Sequence, residues 1–190
     1  IQRGASFFLP LEVLGCHVGP AKCHVTGRRL SMEMRAATAL MGHMGLELNL
    51  LTERQGDLDT LKSAIALHKR HRALLHDGDL VRLDTAPQIM ASGVIARDRS
   101  EALYSVAYVL SDPQVLPERV RFAGLDPDRN YLVKLIWPTI WQAIKGPSAI
   151  EKLGLNQDGA TLSGAALMHG GLQLPHAHPE TCLLFYVEAI

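Results

Sequence analysis

Side chains that can hold a metal or contact a polar ligand are concentrated just after an apolar run that ends near Gly15. They are Cys16, His17, Lys22, Cys23, His24, Arg28 and Arg29. Two cysteines and two histidines are the ligand types of a zinc site. Here each cysteine directly precedes its histidine, and adjacent ligands strain a tetrahedral site, so the spacing does not favour zinc. The alternative is that Cys16 and Cys23 are small, partly buried side chains. No metal site is predicted.

Other polar residues give no catalytic motif. His68, His71 and His76 lie in a helix pattern, which predicts a solvated helix face, and His178 lies with His176 in a rigid surface turn between two prolines. No carboxylate belongs to a recognisable site motif. The sequence contains no nucleophile elbow, P-loop or dinucleotide fingerprint. We therefore predict no catalytic residue and no cofactor site.

Composition indicates a globular protein without an electrostatic preference for nucleic acid. The chain has 190 residues, of which 47% are hydrophobic, and its 19 basic and 19 acidic residues balance. A neutral balance gives no reason to expect nucleic acid or an anionic membrane as partner. No run of 18 apolar residues is present, so no membrane span is predicted.

Cysteine usage and the N-terminus bear on location. The three cysteines are an odd, low number, which fits a reducing compartment, and no signal peptide pattern is present. We therefore predict a cytoplasmic protein. The chain begins at Ile1 and reads at once as interior sequence, so we expect it to be part of a longer protein.

The first part of the chain reads as strand, loop and two helices. Residues 6–15 predict a buried strand despite Pro10, and residues 16–29 predict a loop. Ser31 can cap the helix that follows. The residues expected to face a core are Met34, Ala37, Met41 and Met44. Gly42 and Gly45 mark either the end of that helix or a close contact with another backbone. A strand, a polar loop and a helix are how α/β barrels present ligand contacts.

A second helix is predicted from a capping box between Thr52 and Gln55, and it ends at Gly78. Its predicted buried face is Leu58, Leu61, Ile65, His68, Arg72 and Leu75. Its predicted exposed residues are Lys62, Lys69 and Arg70.

Strand-like runs separated by turns follow, and they predict an antiparallel sandwich. The runs are Leu80–Leu83, Gln88–Ala96, Ala102–Leu110, Arg119–Ala123, Tyr131–Trp137 and Cys182–Glu188. The run from Ala102 is apolar on both faces and is expected to be a central strand. Asp126 is expected to close a turn before Tyr131.

Phe8–Arg29 and the helix after it resemble the last barrel strand and helix of glycoside hydrolase family 36 α-galactosidases. The family pattern is a Pro-containing strand, a Gly-x-His-Val-(Gly/Ser) loop, a Thr-Gly-Arg, and Arg-x-x-x-Ala-x-x-Gly-x-x-Gly-x-Glu. The matching residues are Gly15, His17, Val18, Gly19, Gly27, Arg28, Arg35, Ala39, Gly42, Gly45 and Glu47. The resemblance extends through Lys69–Arg72, Gly124–Pro127, Tyr131, Leu162–Met168 and Gly171-Leu172. Departures from it are Cys16, Cys23, His71 and residues 139–155.

The resemblance implies an α/β part followed by an all-β part. Residues 1–78 would be the C-terminal end of a (β/α)8 barrel, and residues 79–190 an antiparallel β-sandwich domain. The whole enzyme would be a retaining α-galactosidase acting on melibiose- or raffinose-type substrates, and a homo-oligomer. Its nucleophile and acid/base would be aspartates on the fourth and sixth barrel strands. Neither aspartate motif occurs in this sequence.

The resemblance also gives roles to two residues of the loop. His17 would contact substrate at the pocket rim or support the loop. Arg28 would contact the sugar or hydrogen-bond loop carbonyls. We expect the 190-residue chain alone to be inactive and to aggregate.

Two other functions stay open. One is a carbohydrate-binding or subunit-interaction β-module, which needs an exposed aromatic platform such as Trp137, Trp141 or Tyr131. The other is a related α-N-acetylgalactosaminidase or galactosyltransferase.

Overall fold

The structure, a computed structural model, describes residues 2–114, 117–138, 144–145 and 149–190. The chain divides into two compact units, Ile1–Asp77 and Gly78–Ile190. No helix among the described residues is long and apolar enough to cross a membrane. Trp141 lies outside the described residues.

The first unit is built around one strand–helix–strand crossover. Its elements are α1 (Gln2–Ala5), a 3₁₀ turn (Leu11–Val13), β1 (Gly15–Val18), α2 (Met32–Leu40), β2 (His43–Leu46), a second 3₁₀ turn (Leu50–Thr52) and α3 (Gln55–Asp77). Strands β1 and β2 are parallel, and their register runs from Gly15 opposite His43 to Val18 opposite Leu46. Because the strands are parallel, both of them end at the same edge, which we call the carboxyl edge.

The predicted strand over residues 6–15 is wrong. Phe8 is 88% exposed, and the strand begins at Gly15. Pro10 has no N–H to donate to a ladder, and its carbonyl accepts a bond from the Val13 N–H, which closes a 3₁₀ turn instead. The predicted loop is correspondingly shorter, since its first residues belong to β1.

The first predicted helix is confirmed, but it ends earlier than expected. The Ser31 hydroxyl accepts the Met34 N–H at the helix start, as predicted. The helix stops at Leu40, so Met44 lies in β2. Gly42 marks the close backbone approach that was the alternative, because a Cβ there would lie 2.7 Å from the Leu14 carbonyl oxygen.

The second helix differs from its prediction in the residue at which it begins and in one residue of its buried face. The Thr52 hydroxyl donates to the Asn49 carbonyl rather than capping, and the helix begins at Gln55. Lys62, Lys69 and Arg70 are exposed, as predicted. Arg72 is exposed too, and His71 is buried in its place. A neutral imidazole is far less costly to bury than a guanidinium, which explains the one-residue difference.

The second unit is dominated by one antiparallel sheet. Its elements are β3 (Asp79–Arg82), β4 (Ile89–Ile95), β5 (Glu101–Tyr108), β6 (Asn130–Trp137), β7 (Ile144–Lys145), α4 (Ala149–Lys152), β8 (Ala160–Ser163), a π-helical turn (Ala166–Gly170), β9 (His176–Ala177) and β10 (Thr181–Ala189). The six-stranded sheet has the order β3-β4-β5-β10-β6-β8, which confirms β5 as a central strand. β7 and β9 form a separate two-stranded sheet.

Irregular segments complete the core of the second unit. The predicted strand at Arg119–Ala123 is only a single bridge, between Val120 and Leu172. Phe122 from this segment is buried and stacks on Tyr104 of β5, with ring centroids 4.5 Å apart. The segment contributes a ring to the core without running as a strand. Asp126 closes its predicted turn by accepting the Asp128 N–H.

The predicted architecture is therefore met in part. The described residues give an antiparallel β unit, but they form one parallel strand pair and not a closed barrel.

Candidate functional site

The carboxyl edge places His17 of β1 beside Glu47, which follows β2. The His17 Nδ1 lies 3.8 Å from the Glu47 Oε2, and the two side chains are 54% and 80% exposed. An exposed pair of this kind adds about 0–1 kcal/mol to stability. The imidazole of His17 therefore remains accessible to a ligand.

Gly45 provides the space that His17 occupies. The two residues are opposite each other in the parallel register. A Cβ on residue 45 would lie 2.6 Å from the His17 Cδ2, closer than real contacts allow. The close contact at Gly45 is thus with the His17 side chain and not with another backbone, and the missing Cβ leaves room for the imidazole.

A buried ion pair connects the segments at this edge. Arg35 in the first turn of α2 binds Glu53 through two hydrogen bonds, Nη1 to Oε1 at 3.2 Å and Nη2 to Oε2 at 3.0 Å. The same Nη1 donates to the Gly19 carbonyl at 2.8 Å. We call Arg35, Glu53 and the Gly19 carbonyl the clasp. It joins the β1–α2 connection to the β2–α3 connection.

The polar loop between β1 and α2 contains a small exposed hairpin. Lys22 and Arg29 form an antiparallel bridge, and the Cys23 N–H donates to the Arg28 carbonyl at 2.8 Å. Gly27 turns the chain at a φ of 70°. The Arg28 residue is exposed on this hairpin. Arg35, which follows the hairpin in the first turn of α2, makes a long-range bond to a loop carbonyl, that of Gly19.

The cysteines of the loop differ in environment. Burial raises the pKa of the Cys16 thiol to about 11. Hydrogen bonds from the Thr26 side chain, then from the Thr26 and Val25 backbone, lower the pKa of Cys23, and Arg28 adds to this effect. Among the described residues, no group of three or more His, Cys, Asp or Glu could hold a metal ion.

Two of the helix histidines, His68 and His76, are half-buried and pack with His43 of β2 instead of lining a solvated face. The rings of His43 and His76 have centroids 4.1 Å apart, and those of His68 and His76 6.1 Å apart. Nδ1 of His68 bonds to the Leu40 carbonyl, and Nε2 of His43 bonds to the Glu12 carbonyl. We call His43, His68 and His76 the histidine cluster. It lies at the amino ends of the strands, away from the carboxyl edge.

Desolvation dominates the electrostatics of this cluster. Burial lowers the pKa of His68, the hydrogen bond to the Leu40 carbonyl opposes this effect, and the neighbouring His43 and Arg72 lower the pKa further. Burial also lowers the pKa of His76, with the same sign from His43, His68 and Arg72 and an opposing effect of Glu12. Folding therefore favours the neutral form of His68 and of His76.

Sequence reasoning did not find the clasp. Arg35 was visible only as a position of the family pattern, and Glu53 was hidden inside the supposed capping box. Glu53 lies eighteen positions after Arg35, in another connection of the chain. No local sequence pattern predicts that the two side chains pair. The role of His17 stays a prediction, and the structure places Glu47 and Gly45 beside it.

Two family models match the chain in sequence order. Residues 1–78 match Melibiase, and residues 89–186 match the Glycosyl hydrolase family 36 C-terminal domain. The first match covers the carboxyl edge and the second covers most of the antiparallel unit.

Individual relatives agree with the family models. An α-galactosidase of Escherichia coli is 37% identical over 99% of this chain and 27% of its own length. The bifunctional α-galactosidase/sucrose kinase AgaSK of Mediterraneibacter gnavus is 31% identical over 92% of the chain and 17% of its length. The chain thus spans about a quarter or less of these proteins.

Solved structures superpose over the whole chain. The galactosidase domain of AgaSK matches with a TM-score of 0.82 and 28% identity, covering 100% of this chain and 24% of that one. A substituted form of the α-galactosidase AgaA of Geobacillus stearothermophilus, in complex with raffinose, matches with a TM-score of 0.81 and 25% identity, with the same coverages.

Proposed function

Because the chain belongs to glycoside hydrolase family 36, we propose that it is the C-terminal part of a retaining α-galactosidase that hydrolyses terminal α-D-galactosides of the melibiose and raffinose type. The observation that carries this proposal is the order of the two family matches, each of which falls on one compact unit. The raffinose complex of a relative supports the substrate class.

In this proposal the first unit is the end of the catalytic barrel. Residues 1–78 supply the last strands and helices of a (β/α)8 barrel, and residues 79–190 supply a β-sandwich domain. The parallel pair β1–β2 with its helical crossover fits such a barrel. Barrel enzymes bind their ligands at the carboxyl ends of the strands, where His17 lies.

His17 then contacts the sugar, and Arg28 lies at the rim of the pocket. A neutral imidazole can donate one hydrogen bond and accept another from sugar hydroxyls. Glu47 lies 3.8 Å from the His17 Nδ1, so a carboxylate stands beside the proposed sugar contact. Neither residue takes part in bond cleavage.

The catalytic carboxylates belong to other segments of the enzyme. Retention requires two carboxyl groups about 5–5.5 Å apart, one as nucleophile and one as acid and base. The aspartate motifs of the family do not occur in this sequence. We therefore assign neither role to any residue of this chain, and we expect the chain alone to be inactive.

The test is turnover by the whole enzyme that contains this chain. We expect hydrolysis of nitrophenyl α-galactoside but not of its β-anomer, with α-galactose as the first product by proton NMR. The purified 190-residue chain should show no turnover. Inverted product, or turnover by the chain alone, would contradict the proposal.

The alternative of a carbohydrate-binding module has less support. Such a module needs an exposed aromatic platform. Two of the three candidates, Trp137 and Tyr131, are 1% and 0% exposed, and the third, Trp141, lies outside the described residues. The relatives carry the name α-galactosidase, which favours that activity over an α-N-acetylgalactosaminidase or a transferase. Comparing the turnover of α-galactoside and α-N-acetylgalactosaminide substrates by the whole enzyme distinguishes an α-galactosidase from an α-N-acetylgalactosaminidase.

We also propose that the whole enzyme is a cytoplasmic homo-oligomer. The three cysteines are free thiols, which fits a reducing compartment. Size-exclusion chromatography with light scattering on the whole enzyme tests the oligomeric state.

A further inference from the structure

The clasp is a fully buried charge pair at the carboxyl edge. The side chains of Arg35 and Glu53 are 5% and 7% exposed. The pair is bidentate, which fixes the plane of the guanidinium relative to the carboxylate. The bond from Arg35 to the Gly19 carbonyl then fixes the backbone two residues after His17.

Stability alone does not explain such a pair. Removing two charges from water costs several kcal/mol per ion, and apolar residues of similar volume often stabilise a core equally well. The Nε of Arg35 is also buried with no hydrogen-bond acceptor among the described residues. What the pair does provide is a defined geometry between two connections that otherwise share no regular structure.

We propose that Arg35 and Glu53 are positioning residues of the sugar site. They hold the β1–α2 connection against the β2–α3 connection, and they thereby fix the backbone that follows His17. This inference rests on the proposed function, because its effect is on the binding of the α-galactoside. Arg35 and Glu53 themselves do not touch the substrate.

The experiment compares variants of the whole enzyme with nitrophenyl α-galactoside as the probe. Arg35→Met and Glu53→Gln should each lower kcat/KM about 10- to 100-fold, since small misplacements near a reacting centre have effects of this size. Arg35→Lys should recover part of the loss, because lysine keeps the charge but loses the bidentate geometry.

Arg54→Met is the matched control. Arg54 pairs with Asp57 at 2.8 Å, next to Glu53 in sequence, but its side chain is 87% exposed and it does not reach Gly19. Its substitution should change kcat/KM by less than about twofold. Equal effects of Arg54→Met and Arg35→Met would overturn the proposal.

A double-mutant cycle with His17→Ala separates positioning from general destabilisation. If the clasp acts through His17, adding Arg35→Met to His17→Ala lowers kcat/KM no further. Independent, multiplying effects would overturn the proposal. Rates are measured well below the melting temperature of each variant, and if Arg35→Met does not fold, Glu53→Gln enters the same cycle. An inactive wild-type enzyme would instead refute the proposed function.

Discussion

The two units of the chain differ in how completely each covers its own apolar side chains. In the second unit a continuous core joins the six-stranded sheet to the irregular segments around it. The exposed large apolar residues that the structure describes in the first unit are Phe7, Phe8, Leu9, Val13, Val25, Leu46, Leu50 and Leu51. Those of the larger second unit, among the described residues, are Met90, Leu110, Leu153 and Ile190.

From this difference we expect the second unit to fold independently, whereas the first unit contains the proposed sugar site. Parallel strands are normally buried on both faces and paired at both edges, and in the described residues β1 pairs with β2 alone. We therefore expect the first unit to need further protein to cover its sheet, and we expect the second unit to fold without it. The proposed sugar contact lies on the dependent unit.

The largest expected effect is on independent folding. Residues 78–190 expressed alone should be monomeric and unfold cooperatively, because their sheet has six strands and its own core. Residues 1–77 expressed alone should aggregate or remain molten, because a two-stranded parallel sheet buries too little surface. Circular dichroism melts and proton–nitrogen NMR spectra of both pieces measure this. A dispersed spectrum from residues 1–77 would remove the distinction between the units.

The next effect concerns the core of the second unit. Phe122 is fully buried, stacks on Tyr104, and lies 5.4 Å from Phe185 between ring centroids. Phe122→Ala should therefore lower the free energy of unfolding by about 3–5 kcal/mol. Urea unfolding followed by tryptophan fluorescence reports this unit, since both tryptophans, Trp137 and Trp141, belong to it.

Leu110→Ala is the control for that substitution. Leu110 is 57% exposed, so its truncation should change the free energy of unfolding by less than about 0.5 kcal/mol. If both substitutions have the same effect, the segment around Phe122 is not part of the cooperative core.

A smaller effect is a loss of stability in the first unit as the pH falls. The pKa values of His68 and His76 are lowered in the folded state, so the unfolded chain takes up protons first. The contribution of these two histidines to the free energy of unfolding is complete above the ordinary histidine pKa of about 6.5. It is lost as the pH falls below that value. Hydrogen exchange of α3 in the whole enzyme should therefore be faster at pH 5.5 than at pH 7.5, after correction for the intrinsic rate.

His76→Gln tests whether the cluster is responsible. Glutamine cannot titrate, so the extra exchange at pH 5.5 should decrease in this variant. Strand β5 of the second unit serves as an internal reference. An unchanged pH response of α3 in the variant would assign the effect to other groups.

The same contrast between the units explains what the sequence could predict. The strands of the second unit were predicted within a few residues where the run was long and apolar, as in β5 and β10. β8 was missed because Ala160–Ser163 is short and only weakly apolar. Phe122 lies in a run that favours a strand, but its burial against Tyr104 depends on tertiary packing and not on local preference.

In the first unit the family pattern was more informative than local propensity. The pattern from Arg35 to Glu47 included the clasp arginine, the glycine beneath His17 and the carboxylate beside it. The helical spacing of apolar residues predicts one helix over the same stretch and gives no indication of β2. Its partner strand lies nearly thirty residues earlier, so no local window contains the contact that makes it a strand.

The smallest expected effect distinguishes the cysteines across the two units. Burial raises the pKa values of Cys16 and Cys182 to about 11, whereas the hydrogen bonds from Thr26 lower that of Cys23 on the exposed hairpin. Because the thiolate is the reactive form, iodoacetamide at pH 8 should alkylate Cys23 well before the other two, as read by peptide mass spectrometry. Thr26→Val removes the hydroxyl donor and should slow the alkylation of Cys23 alone. Equal rates of alkylation at Cys23 and Cys16 would show that β1 opens to solvent as readily as the hairpin. The strand pair of the first unit would then be as unstable as its exposed loop.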